Sequence, residues 1–170
     1  MPPLPLVNSL TSLTYCNAHR VIKNNLSKNK IMEPIKQFTG LSAVLTGFAE
    51  TKIAPNIDPI NIKEKYFTAW TEKTGATLSS SILEKYASLA TATSNTSQEI
   101  GEQMLDSSNG ADFVLACRKL IFLWYSGAWP TLSSDGKMTS SILLSSKSYN
   151  AGLVWQVMQS HPMGLSLIHI

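Results

Sequence analysis

Cysteine and histidine are scarce in this chain, and long apolar runs are missing. Among 170 residues there are 2 Cys and 3 His. Two Cys exclude a disulfide-dense secreted scaffold. Between residues 32 and 164 only Cys117 and His161 remain. That pair cannot build a four-ligand zinc site or an iron–sulfur cluster. A Ser-His-Asp or Cys-His nucleophile would have to use His161, and no Gly-x-Ser-x-Gly elbow accompanies it. Gly-x-Gly-x-x-Gly and Gly-x-x-x-x-Gly-Lys loops are absent, so nucleotide phosphates lack their usual cradle. The richest apolar stretch, Phe113–Cys117, meets Arg118 and Lys119 before Leu120–Tyr125. It falls short of the ~18–20 apolar residues that a spanning helix needs.

What is present suits one folded domain. Apolar residues make up 44% and charged residues 15%, a balance that can bury a core. The charge is unevenly placed. Residues 1–31 hold Arg20, Lys23, Lys28 and Lys30 and no acid, a net of +4. The remainder carries 14 − 4 = 10 bases against 11 acids, a net of −1. A nearly neutral domain argues against nucleic-acid binding through phosphates.

The leader at 1–31 has three readings: a targeting peptide, a disordered arm, or upstream sequence translated in error ahead of Met32. The last is favoured, because domain-like patterning starts at Ile35-Lys-Gln-Phe38. No chemistry is assigned to Cys16 or His19. At the other end, Leu165–Ile170 matches the translation of a sequencing adaptor. It is read as debris, with His169 discounted. The expected domain is 32–164.

Its pattern is helical. Phe38, Leu41, Val44, Leu45 and Phe48 recur at spacings of three and four, predicting a helix over 38–49. Asp58-Pro59 opens a second helix with Tyr66, Phe67 and Trp70 on its apolar side and a stop at Gly75. A third spans 80–92, with Ile82, Tyr86 and Leu89 aligned, and a fourth spans 97–105. The fifth covers 109–126, ends at Gly127, and is apolar all round from Leu120 to Tyr125. That predicts a central helix or one covered by a second protein. Residues 127–146 read as one long loop with a short strand at Ile142-Leu-Leu144; such loops often bind. A last helix covers 148–160. The expected fold is all-α: a compact bundle of about five to six helices with one long loop and disordered termini.

Cys117 lies on a buried stripe and reads as a small hydrophobe. Glu99 and Glu102 read as a solvated helix face, and His161 as a capping or interface residue. The distinctive residues are aromatic. Trp124-Tyr125-Ser-Gly-Ala-Trp129 sets three rings around a glycine turn, and Tyr149 and Trp155 flank Gly152. Such rings either fill a core or anchor an interface. The expected partner-binding set is Trp124, Tyr125, Trp129, Tyr149, Trp155, His161 and Met163, acting by packing and not by proton transfer.

Leu123-Trp-Tyr-Ser-Gly-Ala-Trp129, Ser148-Tyr-Asn-Ala-Gly-Leu-Val-Trp155 and His161-Pro-Met-Gly164 resemble the small subunit of bacterial membrane-bound, FAD-dependent sorbitol and sugar dehydrogenases. Leu41-Ser-Ala-Val-Leu-Thr-Gly-Phe48 is similar to that family's opening motif. The resemblance covers Phe38 to Gly164. It implies a non-catalytic accessory subunit that binds no cofactor itself. FAD would sit in a flavoprotein large subunit, and a haem-bearing cytochrome subunit would pass electrons onward. The complex would work on the periplasmic side of the membrane. The small subunit would assist folding, assembly or export of the flavoprotein. Two features depart from the family: residues 1–31 hold no paired arginines, and family members continue past Gly164 with an aromatic- and glycine-containing tail. Two alternatives stand beside this expectation: an oxidoreductase in its own right, and an unrelated helical protein-binding domain.

Overall fold

The computed structural model describes residues 33–92, 94–133 and 136–160. The leader with Cys16 and His19, the Ser134-Asp135 pair, and the C-terminal stretch with His161, Met163 and His169 lie outside the described residues.

Helix α1 (Pro34–Thr46) starts on Pro34, whose missing amide costs nothing in a first turn, and ends at Gly47. Its inner face buries Phe38, Leu41 and Leu45. A short α2 (Glu50–Ile53) follows, so the predicted 38–49 helix is displaced four residues toward the N-terminus at its start. Helix α3 (Ile62–Thr74) buries Ile62, Tyr66 and Trp70 and stops at Gly75. Asp58 accepts from the Ile62 amide at 2.7 Å, but the helix starts after Asn61, so Asp58 does not hold the cap position and Pro59 sits in the turn before the helix. Helix α4 (Ala76–Thr91) buries Ile82, Leu83 and Tyr86. Helix α5 (Ser97–Leu105) has the predicted bounds. The Thr96 hydroxyl accepts from the Glu99 amide, and the Glu99 carboxylate accepts from the Thr96 amide at 2.7 Å. This reciprocal cap fixes the helix start. After a 3₁₀ turn (Ser107–Asn109) comes α6 (Ala111–Ser126).

Helix α1 packs against each of α2 through α6, and α6 against α1, α3, α5 and the strand that follows it. The core is one cluster of apolar side chains from these helices, with Phe38 at a ring junction. Its ring lies 5.2 Å from Phe67, 5.6 Å from Trp70 and 6.3 Å from Trp124. The all-round apolar stretch of α6 therefore reflects a central position on one side. Ile121, Phe122 and Tyr125 on the other side are only half-buried.

The chain is mostly helical but not all-α. Within the stretch expected as a loop over 127–146, the short strand expected at Ile142-Leu-Leu144 is met at Ile142 and Leu143 by part of a longer antiparallel hairpin, β1 (Ala128–Leu132) and β2 (Met138–Leu143). The register pairs Ala128 with Leu143, Trp129 with Ile142 and Pro130 with Ser141, and shifts between Thr131 and Leu132. Pro130 is tolerated because a two-stranded ribbon has only edges, and an edge strand can turn a missing amide outward. The expected last helix is also corrected. It is two short pieces, α7 (Ser146–Asn150) and α8 (Val154–Val157), broken around Gly152.

Candidate partner-binding surface

The aromatic cluster is organised by the end of α6. Gly127 takes the left-handed conformation (φ +69°) and donates its amide to the Leu123 carbonyl at 2.8 Å, closing the helix. The chain then returns across this end. The Ser148 backbone crosses so close to Gly127 that an added Cβ would collide with the Ser148 carbonyl and lie 2.7 Å from the Tyr149 nitrogen. The Ser148 hydroxyl donates to the Gly127 carbonyl at 2.9 Å, and the Leu144 amide donates to the same oxygen at 3.2 Å. From α3, the buried Tyr66 hydroxyl donates to the Ser148 carbonyl at 3.1 Å. Burial holds that phenol well above the usual tyrosine range, so it acts as a fixed donor.

Gly152 provides the second close approach. A Cβ there would stand 2.7 Å from the Tyr125 carbonyl oxygen and 3.1 Å from that of Tyr149. The Leu153 amide donates to the Trp124 carbonyl at 3.0 Å. Leu153 itself is buried. These contacts hold the chain at the break between α7 and α8.

The predicted rings divide accordingly. Trp124 is 2% exposed, with its ring 4.7 Å from that of Tyr66 in an edge-to-face arrangement. Trp129 is 8% exposed, with the Lys119 ammonium 5.7 Å from its ring centre. Both are core residues of this chain, and neither presents its ring outward. Tyr125 is half-buried; its hydroxyl donates to the Thr46 carbonyl at 3.0 Å and its ring meets Phe48 edge-on at 6.1 Å. Tyr149 and Trp155 are half-buried and form an edge-to-face pair at 5.0 Å. The Trp155 indole donates to the Tyr149 carbonyl at 2.8 Å. This pair is therefore pre-set as a rigid unit on the outside of α7 and α8. His161 and Met163 fall outside the described residues.

Sequence reasoning passed over the aliphatic part of this surface. Among the described residues the large exposed apolar side chains are Ile57, Met138, Ile142, Leu143, Val157 and Met158, and five of these six follow α6. Ile142 is 63% exposed and Met158 is 61% exposed. Directly opposed residues of an antiparallel pair share a face. Ile142 thus sits beside Trp129, one side chain open to solvent and the other sunk against α6. Ile142 and Leu143 fall in the short strand that the sequence suggests, but its extension back to Met138 and its pairing with β1 were obscured by Ser140, Ser141 and Pro130.

Cys117 is fully buried, and burial pushes its thiol up to about 12, with Lys85 pulling weakly the other way. A thiol in that state is a poor nucleophile at neutral pH. Glu99 is exposed; the amide and hydroxyl of Thr96 hold its carboxyl below the usual glutamate range. Its engagement is with the helix cap. Among the described residues, no three His, Cys, Asp or Glu side chains come together as a metal site. No helix among them is long and apolar enough to cross a membrane. Compared with models of known families, with curated proteins and with solved structures, the chain matches none.

Proposed function

We propose that this chain is a non-catalytic small subunit of a membrane-associated, FAD-dependent sugar or polyol dehydrogenase, which assists folding, assembly or export of the flavoprotein. The family part of this reading rests on the three aromatic motifs around Trp124, Trp155 and His161 and on the Leu-Thr-Gly-Phe segment ending at Phe48. The observation that carries the interaction part is the surface after α6. There a locked Tyr149–Trp155 pair and five exposed aliphatic side chains occupy the hairpin and the C-terminal turns. Rings held by hydrogen bonds lose little freedom on binding, which favours their use as anchors.

Co-expression with a cognate flavoprotein large subunit tests the proposal. The two chains should co-purify, and the large subunit should hold more FAD with the partner than without it. Ile142→Asp and Trp155→Ala should release the partner while leaving the small chain folded. A large subunit that folds, loads FAD and reaches full activity equally well alone defeats the proposal. Recording the visible spectrum of the purified small chain separates the competing case of an oxidoreductase, which would show one flavin per chain and oxidise a polyol.

A further inference from the structure

A second feature lies on the face formed by α1, α4 and α5. These helices and the start of α2 enclose an open cleft of about 990 Å³. Small residues form its floor: Gly40 and Ala43 on α1 and Gly101 on α5. Val44, Phe48 and Leu105 are half-buried and form apolar walls. Glu50, Gln98 and Glu102 are exposed and form the rim, and among the described residues no Lys or Arg lines the cleft.

One polar group on the floor is unspent. Tyr86 is 8% exposed, and its hydroxyl stands where a Gly40 Cβ would be, so glycine at 40 is what admits it. Among the described residues, that hydroxyl makes no hydrogen bond. Burial, and then the Glu50 charge, push its pKa above the usual tyrosine range. The phenol therefore stays protonated and offers its hydroxyl at the solvent-open floor of the cleft. The hydroxyl is open to solvent, so an occupant of the cleft can take the place of water on it.

We infer that this cleft receives a segment of a partner protein that presents lysine or arginine beside apolar side chains. The apolar walls take the side-chain stems, and Glu50 and Glu102 take the cationic heads. An anionic occupant would meet two carboxylates and no compensating base. The site suits a protein segment better than a small amine, because its mouth is open and its α1 wall runs from Gly40 to Gly47. That wall is roughly 10 Å long at 1.5 Å per residue, close to two turns of a docked helix. The assignment rests on the proposal that this chain works by binding a partner, but it concerns a different face from the aromatic surface.

The test is a titration of the isotopically labelled full chain with an acetylated, amidated helical peptide of leucine and lysine, followed by NMR. Signals of Val44, Tyr86 and Leu105 should shift. The double variant E50Q/E102Q should weaken binding about fivefold, the size expected for two solvent-facing ion pairs. Tyr86→Phe keeps the buried ring and should also weaken it. Three results overturn the inference: no shift at the cleft, equal binding of the peptide with glutamate for lysine, or full occupancy by octylamine at the peptide's own affinity. If the chain raises FAD loading of a flavoprotein while the cleft signals stay still, the inference fails and the proposed function stands. If the cleft binds the peptide and the flavoprotein gains nothing, the reverse holds.

Discussion

Trp70 and Trp124 offer a controlled comparison, because the same substitution removes the same atoms from two nearly identical environments. Both rings are buried, both touch Phe38, and both belong to the central cluster. They differ at the indole nitrogen. Trp70 donates to the Ala116 carbonyl at 3.4 Å, whereas the Trp124 nitrogen is buried with no partner among the described residues. Replacing either by Phe removes similar volume and leaves a similar small cavity, so those costs nearly cancel between the variants. Trp70→Phe loses in addition a hydrogen bond worth about 1 kcal/mol. Trp124→Phe instead removes an unsatisfied donor whose burial costs about 1–3 kcal/mol. Trp124→Phe should therefore be the less destabilising change by about 2–4 kcal/mol. Urea denaturation of the two variants, followed by circular dichroism with unchanged m-values, reads the difference directly. Equal losses in the two variants would show that the indole nitrogens are equivalent and refute the reasoning.

Other expectations follow from the close approaches and the shifted groups. Gly127→Ala adds a strained left-handed residue, about 1–2 kcal/mol, and a backbone collision with Ser148, so its melting temperature should fall far more than that of Gly136→Ala, which has open space around it. In a Cys16→Ser background, Cys117 should resist a thiol reagent at pH 8 in the native state and react at once in urea. Because the thiol titrates higher in the folded chain than the ordinary value of roughly 8.5, its contribution to stability is whole below that pH. It should drain away as pH rises toward about 12. The Glu99 carboxyl should titrate below an ordinary glutamate in an NMR pH series and return upward in Thr96→Val. Its stabilising contribution is present at neutral pH and lost as pH falls through that lowered value.

The helices were legible where local chemistry decides them. Thr96 with Glu99 specifies the start of α5 from four residues, and Gly127 ends α6 where only a residue at ease with positive φ fits. Elements set by distant contacts were not. The break at Gly152 is held by the Leu153 bond to the Trp124 carbonyl, which no periodicity near 152 records. The hairpin was hidden by Pro130 and by a serine-rich run, since a proline usually argues against a strand. Among the candidate anchors, residue type marked out the large rings. It could not tell Trp124 and Trp129, which the helices enclose, from Tyr149 and Trp155, which they leave half open. That division depends on where the chain returns across α6. The cleft beneath Glu50 and Glu102 was likewise unreadable, because Gly40, Tyr86 and Gly101 belong to three helices far apart in sequence.

We propose that this chain acts through its surface on a flavoprotein neighbour. The most direct measurement is the FAD content per large subunit, expressed with and without this chain and with its Ile142→Asp/Trp155→Ala variant. A full flavin complement is expected only with the unaltered small chain. Equal flavin in all three preparations would contradict it.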